Sequence, residues 1–400
     1  MKVVELIVML GPLQARTSLY LEICAAACQA GTDVLRAGGS AVEAASRATV
    51  VLEDAGETNA GFGSNLTESG TVEMDAGLME GASLLFGAVG AISGVKNPIL
   101  VAEKLVEEQG KGLLPLGRVP PGFLVGAGAR DWAVRHNIQT VKTENLISEK
   151  AAKLYRHYKK KLDAYRASVT ELQVAKRKRD ASLDVGHLGD INTYKRLKQC
   201  ADYDASDTVR SNDGATKLLD GNSSLTSGDG SVEVGPSQEV AARLEAAAGA
   251  DAGRDGDEED GVGDTVGVVV LDRLGRVAST VSSGGIALKQ PGRVGQASCF
   301  GCGCWAQRPV AAGGGATAVS TTGGCPAVLS SISRSGPGCG EHLVRTFLAR
   351  ECGQALAGTE HPLQELQRVM KERFAESEFL AGVPEKLGGA ICMQVGPTQR

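Results

Sequence analysis

Apolar residues recur at helical spacing through residues 18–54, with Leu19, Ile23, Ala26 and Cys28 on one face. Gly38-Gly39 interrupts the run and 41–52 resumes it, so two helices joined by a glycine turn are predicted. Residues 72–76 alternate as a short strand, and 87–92 form another whose small residues suit close packing. Asn97-Pro98 opens a helix through Leu105, with the proline in its favoured first turn. The apolar run in residues 1–10 is broken by Glu5 and has no basic stretch ahead of it, so it reads as a strand rather than a signal peptide. No stretch approaches the roughly 20 apolar residues of a membrane span.

The second half is patterned differently. Residues 265–271 are a Val-rich strand, 272–276 a tight turn and 277–281 the returning strand. A hairpin brings its second arm back beside its first, so Ser282-Ser283-Gly284-Gly285 falls near Thr265. Residues 318–323 end a further strand at Thr321-Thr322-Gly323. Residues 341–352 and 361–374 read as amphipathic helices, the latter starting at Pro362.

A chain of 400 residues suits one large domain or two ordinary ones. Its net charge of −5 argues against a direct nucleic-acid binder. Charge is nevertheless concentrated locally. Lys159, Lys160 and Lys161, then Lys176, Arg177, Lys178 and Arg179, form two basic clusters separated by apolar positions at helical spacing. They read as a two-part nuclear import signal for an import receptor, as a nucleic-acid contact, or as a solvated helix face. From about 200 to 263 Asp, Ser, Gly and Glu dominate, which predicts a disordered loop where a chain break does least harm. The ten cysteines are read as the reduced thiols of a nuclear or cytoplasmic protein. Cys299, Cys302 and Cys304 lack the second ligand pair of a zinc site, so no metal is expected.

The candidate chemistry lies where that loop meets the Val-rich strand. A cut between Asp264 and Thr265 makes Thr265 a new N-terminus, with a hydroxyl nucleophile and its own α-amine as base. An α-amine has an unperturbed pKa of about 7.7–8.0 and needs no tuning. The competing reading is that Asp264-Thr265 merely ends a loop and opens a strand. Arg293, flanked by glycines in Gly292-Arg293-Val294-Gly295, is placed to meet a substrate carboxylate. The polar, glycine-studded loop around Asn59 either lets backbone approach a site closely or is an ordinary connector.

At Thr265-Val266-Gly267, Ser282-Ser283-Gly284-Gly285, Gly292-Arg293-Val294-Gly295 and Gly340-Glu341-His342 the chain resembles the type 2 asparaginases, which are N-terminal-nucleophile hydrolases. Residues 58–66, 86–90, 301–306 and 339–352 are similar to the taspase (threonine aspartase) branch, as is the basic pair ahead of a cleavage loop. The resemblance covers about 18–180 and 262–395. It implies an α+β fold, a four-layer αββα sandwich, with a disordered loop before the cleavage site. Self-cleavage at Asp264-Thr265 would divide the chain into an α subunit, 1–264, and a β subunit, 265–400. The α subunit would comprise a core at 18–150, a basic helical segment at 151–198 and an acidic loop at 199–264.

In that resemblance Thr265 is the nucleophile, Ser283 supports it, Asn59 lies beside it, and Thr322 and Gly323 stabilise the oxyanion. Arg293 grips a substrate carboxylate. In the asparaginases the residue after this glycine-arginine motif is Asp, which holds the substrate's free α-amine; here it is Gln296, as in the taspase branch. The implied activity is a threonine endopeptidase cutting after Asp, at Asp-Gly sites, with no cofactor. Its substrates would be nuclear regulators such as mixed-lineage leukaemia methyltransferases and a general transcription factor. Processed αβ units would pair into a heterotetramer, in nucleus and cytoplasm. Two alternatives stand beside it: an asparaginase or β-aspartyl peptidase acting on small substrates, and a non-catalytic binding protein.

The chain departs from the family pattern in three places. Residues 1–17 lack the family's His-led glycine motif. Residues 324–338 separate Thr322-Gly323 from Cys339-Gly340 and carry no recognisable pattern. The family also continues with further strands beyond Gly388-Gly389-Ala390-Ile391-Cys392.

Overall fold

A computed structural model describes residues 5–9, 17–182, 265–308, 325–331, 339–357, 359–383 and 386–395. The chain divides into two units, one of Met1–Ala164 with Glu259–Arg400, the other of Tyr165–Glu258. The first unit holds every strand described. In chain order its elements begin β1 (Glu5–Met9), α1 (Thr17–Arg36), α2 (Ala41–Asp54), β2 (Met74–Glu80), β3 (Phe86–Ile92), α3 (Pro98–Gly110), β4 (Phe123–Val125) and α4 (Gly126–Arg135). Helix α5 (Glu149–Ser182) follows and supplies what is described of the second unit. Then come β5 (Val266–Leu271), β6 (Val277–Ser283), β7 (Cys304–Ala306), β8 (Cys325–Ser331), α6 (Cys339–Thr346), α7 (Leu348–Leu356), α8 (Pro362–Arg368) and β9 (Gly389–Val395).

Six strands form one sheet in the order β1-β5-β6-β2-β3-β4, and three form a second in the order β7-β8-β9. Among the described strand pairs β3–β4 is parallel and the rest are antiparallel, so the class is α+β. The valines of β5 show how the layers are built. Side chains alternate along a strand. Val266, Val268 and Val270 pack with Ala44, Ala48 and Leu52 of α2. Val269 and Leu271 pack on the opposite side with Trp305, Leu348 and Cys352. A strand covered on both faces needs apolar residues throughout, which is why this run does not alternate. Each such buried side chain is worth about 1.5–3 kcal/mol. Helix α3 covers β2 and β3 through Ile99 and Leu105, against Met74, Leu78, Val89 and Ile92. Helix α7 contacts all three strands of the second sheet.

The hairpin at 265–283 and the helix–glycine–helix unit form as the pattern predicts, Gly38 turning at φ +91°. Ser40 caps α2 reciprocally with Glu43, the arrangement that satisfies two otherwise idle amides. Four expectations are corrected. The buried stripe of α1 runs through Tyr20, Ala27 and Leu35, while Leu19 and Ala26 are exposed; small residues all round this helix blur its face. The single helix expected over 341–352 is broken at Phe347, whose φ of 47° separates α6 from α7. The helix expected over 361–374 does start at Pro362, but after Arg368 it widens into a π-helical segment, Val369–Ala375. The patternless stretch at 324–338 contains β8, the middle strand of the second sheet, with Val328 opposite Trp305 on one side and Cys392 on the other. Pro326 lies beyond the last residue paired with β7 and stands opposite Gln394 of β9. Among the described residues no helix is long and apolar enough to cross a membrane.

Candidate active site

The site is organised by the β5–β6 hairpin. Asp272 locks its turn: Oδ1 accepts from Leu274 N (2.8 Å) and Arg276 N (2.9 Å), and Oδ2 pairs with Arg276 Nε at 2.6 Å. Gly275 supplies the left-handed residue at φ +79°. With that turn fixed, Val266 pairs with Ser282 in register, and Thr265 comes to the open end beside Ser283. The adjacent serines face opposite ways. Ser282 Oγ donates to Glu53 Oε1 of α2 at 2.7 Å, and Ser283 Oγ lies 2.9 Å from Thr265 Oγ1. Ser283 Oγ also accepts from Gly285 N at 3.0 Å. Its own hydrogen is therefore free to reach Thr265, or its remaining lone pair to accept from it. Thr265 is 7% exposed, so its hydroxyl sits in a largely water-free setting.

The loop following α2 closes over the turn after β6. Asn59 Nδ2 donates to Gly285 O at 2.8 Å, Asn59 Oδ1 accepts from Asn65 N at 2.9 Å, and Gly284 N donates to Asn59 O at 2.7 Å. Asn59 is thus the stitch between loop and turn, its amide spent on Gly285 rather than on Thr265. The approach is so close that a Cβ at Gly284 would lie 2.5 Å from Asn59 Oδ1.

Gln296 and Arg293 come to the same place. Gln296 Nε2 lies 3.4 Å from Thr265 Oγ1. Arg293 Nε donates to Glu341 Oε1 at 2.6 Å, with Nη2 at 2.5 Å from the same oxygen. Beneath them lie two buried ionisable side chains of opposite sign, Asp75 and Lys289, that sequence reasoning missed. Asp75, opposite Ser283 in the sheet, accepts from Ala91 N at 2.8 Å and from Gly295 N at 2.7 Å. Lys289, 1% exposed, donates to Glu73 O at 2.8 Å. Burial pushes the Asp75 carboxyl up, and Lys289 pulls it back. Burial pushes the Lys289 ammonium down, and Asp75 raises it. Asp75 therefore pins the backbone that carries Arg293 and Gln296. A charge among the otherwise apolar and small interior positions of β2, Asp75–Met79, was the available signal.

The sequence model of the asparaginase family matches residues 13–395. The chain belongs to the asparaginase family. It is similar to proteins named isoaspartyl peptidase/L-asparaginase from Bos taurus, 28% identical over 76% of this chain and 64% of that one. The Homo sapiens protein of that name is 28% identical over the same shares. The Mus musculus protein is 40% identical over 34% of this chain and 39% of its own length. The chain spans less than two thirds of the length of these relatives.

Membership of the asparaginase family places the chain by descent in the N-terminal-nucleophile superfamily. The structure brings together Thr265, Ser283, Asn59, Arg293 and Gln296. Asp264, Thr322 and Gly323 lie outside the described residues, as do the acidic loop expected at 199–264 and the end of the basic segment beyond Ser182. Lys159, Lys160 and Lys161, with the backbone of Lys176, Arg177, Lys178 and Arg179, fall on helix α5, where Lys159 pairs with Asp163 at 3.2 Å. Cys302 and Cys304 are buried beside half-buried Cys299, and burial pushes all three thiols up, Cys302 to about 12. Such thiols pack as small apolar groups. Among the described residues no group of three or more Cys, His, Asp or Glu side chains is placed to hold a metal ion.

Proposed function

We propose that this protein is a self-activating hydrolase that uses Thr265 as an N-terminal nucleophile on amide bonds of aspartyl or asparaginyl substrates. The 2.9 Å contact between Thr265 Oγ1 and Ser283 Oγ, at the open end of the hairpin, carries this reading. In the uncut chain the Thr265 hydroxyl attacks the carbonyl carbon of Asp264. The C–N bond breaks, the Thr265 nitrogen takes up a proton, and an ester forms. Water then hydrolyses the ester, leaving the Asp264 carboxylate and a free α-amine on Thr265. That amine serves as base for later turnovers. The two stacked sheets with helices outside are read as the αββα sandwich of this superfamily.

The names of the relatives support isoaspartyl peptides and asparagine as substrates. A second reading, an endopeptidase cutting after Asp, is favoured by Gln296. It stands beside the nucleophile where the asparaginases carry the Asp that holds a free substrate amine, and an internal aspartate has no such amine. An import receptor reading the basic clusters, nuclear substrates and paired αβ units belong to that second reading.

Intact mass and N-terminal sequencing of wild type and Thr265→Ala test the first step. Wild type should yield a fragment from Thr265 to Arg400, and the variant none. Asparagine, an isoaspartyl dipeptide and a peptide with an internal Asp-Gly bond then separate the readings. Wild type that stays full length and turns over none of the three overturns both.

A further inference from the structure

We propose that Glu341 is a specificity-determining residue: a resident carboxylate that occupies the substrate-facing edge of Arg293 and must be displaced before a substrate carboxylate docks. The inference rests on Arg293 being the carboxylate grip of the proposed function. It does not depend on which of the two substrate readings holds, because a carboxylate is presented to Arg293 in both.

The guanidinium is enclosed on one side and contested on the other. Its Nη1 faces glycine backbone: a Cβ at Gly285 would lie 3.0 Å from Nη1 and one at Gly295 3.4 Å from it. Under these glycines are Lys289 and Asp75, whose polar ends are engaged by Glu73 O, Ala91 N and Gly295 N. The edge formed by Nε and Nη2 is the one able to take a two-oxygen ligand, and Glu341 holds it.

It holds that edge poorly. Both nitrogens converge on the single oxygen Oε1 instead of matching two nitrogens to two oxygens. Among the described residues Glu341 Oε2 has no hydrogen-bond partner, and Nη2 has no well-directed one, though both atoms are shut off from solvent. A substrate carboxylate meeting the fork with both oxygens would make the stronger, bidentate contact.

Glu341 has somewhere to go. Its side chain is 41% exposed against 14% for Arg293, so rotation carries the carboxylate toward water while the guanidinium stays. It lies in the first turn of α6, where unpaired amides favour a carboxylate whether or not Arg293 is engaged. Gly340 brings this turn into the site; a Cβ there would stand 2.5 Å from Gln296 Oε1 and 3.2 Å from Arg293 Nη2. The turn that supplies the competitor thus touches the residue beside the nucleophile.

The test replaces Glu341 by the isosteric, uncharged glutamine and, separately, by alanine. Succinate serves as a carboxylate probe that needs no turnover. Calorimetry on wild type and Glu341→Gln should show succinate binding about tenfold tighter in the variant, the gain expected when a competent state populated a tenth of the time becomes dominant. Adding Arg293→Ala should abolish the gain. In kinetics with an aspartyl substrate, Glu341→Gln and Glu341→Ala should lower KM with kcat unchanged. Weaker or unaltered succinate binding, or a raised KM in both variants, overturns the proposal, because Glu341 would then be steadying Arg293 rather than competing for its ligand. A wild type that binds succinate through Arg293 but cleaves nothing refutes the proposed function and leaves this inference standing.

Discussion

Glu53 offers the sharpest test of the packing behind the nucleophile. It is fully buried at the end of α2. Its Oε1 accepts from Ser282 Oγ at 2.7 Å and from Ile99 N at 3.1 Å, while Oε2 has no partner among the described residues. Burial pushes its carboxyl from 4.5 up to about 8, against the lowering pull of those hydrogen bonds. A carboxyl raised in the folded state binds its proton more tightly there than in the unfolded chain. Its contribution is therefore fully present below pH 4.5 and is lost as pH rises through 8. At about 1.36 kcal/mol per pKa unit, the loss across that window is about 5 kcal/mol. Glu53→Gln keeps the acceptor but cannot ionise, and its amide donates into a spot with no acceptor, costing about 1–3 kcal/mol. The two stability curves should cross, the variant weaker at pH 5 and stronger at pH 9. Urea unfolding of both in a Thr265→Ala background keeps every molecule uncut. Glu103, pushed to about 7 by burial and by Glu43, titrates in the same range and cancels in the difference between the curves. Parallel curves would refute the claim that Glu53 is buried as a neutral acid.

Ser283→Ala removes the hydroxyl that meets Thr265 and should slow appearance of the Thr265 fragment by about 100-fold, followed by gel over days. Asp75→Asn or Lys289→Met alone leaves buried backbone hydrogen-bonding groups poorly met and should cost about 1–3 kcal/mol, while the double replacement should cost less than the sum if the two charges steady each other, which a double-mutant cycle of unfolding midpoints measures. Gly284→Ala drives a Cβ into Asn59, Ser64 and Asn65 and should abolish self-cleavage, whereas Gly275→Ala meets open space, strains only its own φ of +79° by about 1–2 kcal/mol, and should leave self-cleavage intact.

The residues legible in the sequence are those whose placement is local. A Val run, a turn and a returning run fix the hairpin, and the hairpin by itself carries Ser283 to Thr265. No long-range information enters that step. The stretch around β8 failed for the opposite reason: its role comes from β7 and β9, which approach from distant parts of the chain, and only their register shows it to be a middle strand. Asp75 was hidden in the same way. Alternation reads Asp75 as the polar side of a half-exposed strand, yet the second sheet buries that side too. What makes the charge tolerable is Lys289, more than 200 positions away, together with two backbone amides. Desolvating both ions costs several kcal/mol each unless every hydrogen-bonding group is met. Asp75 spends one oxygen on Ala91 and the other on Gly295, so the backbone next to Arg293 must stay in place for the pair to stay buried. The position of the carboxylate grip is thereby tied to the stability of the sheet beneath it. A substitution that shifts the 292–296 loop should lower stability as well as substrate affinity.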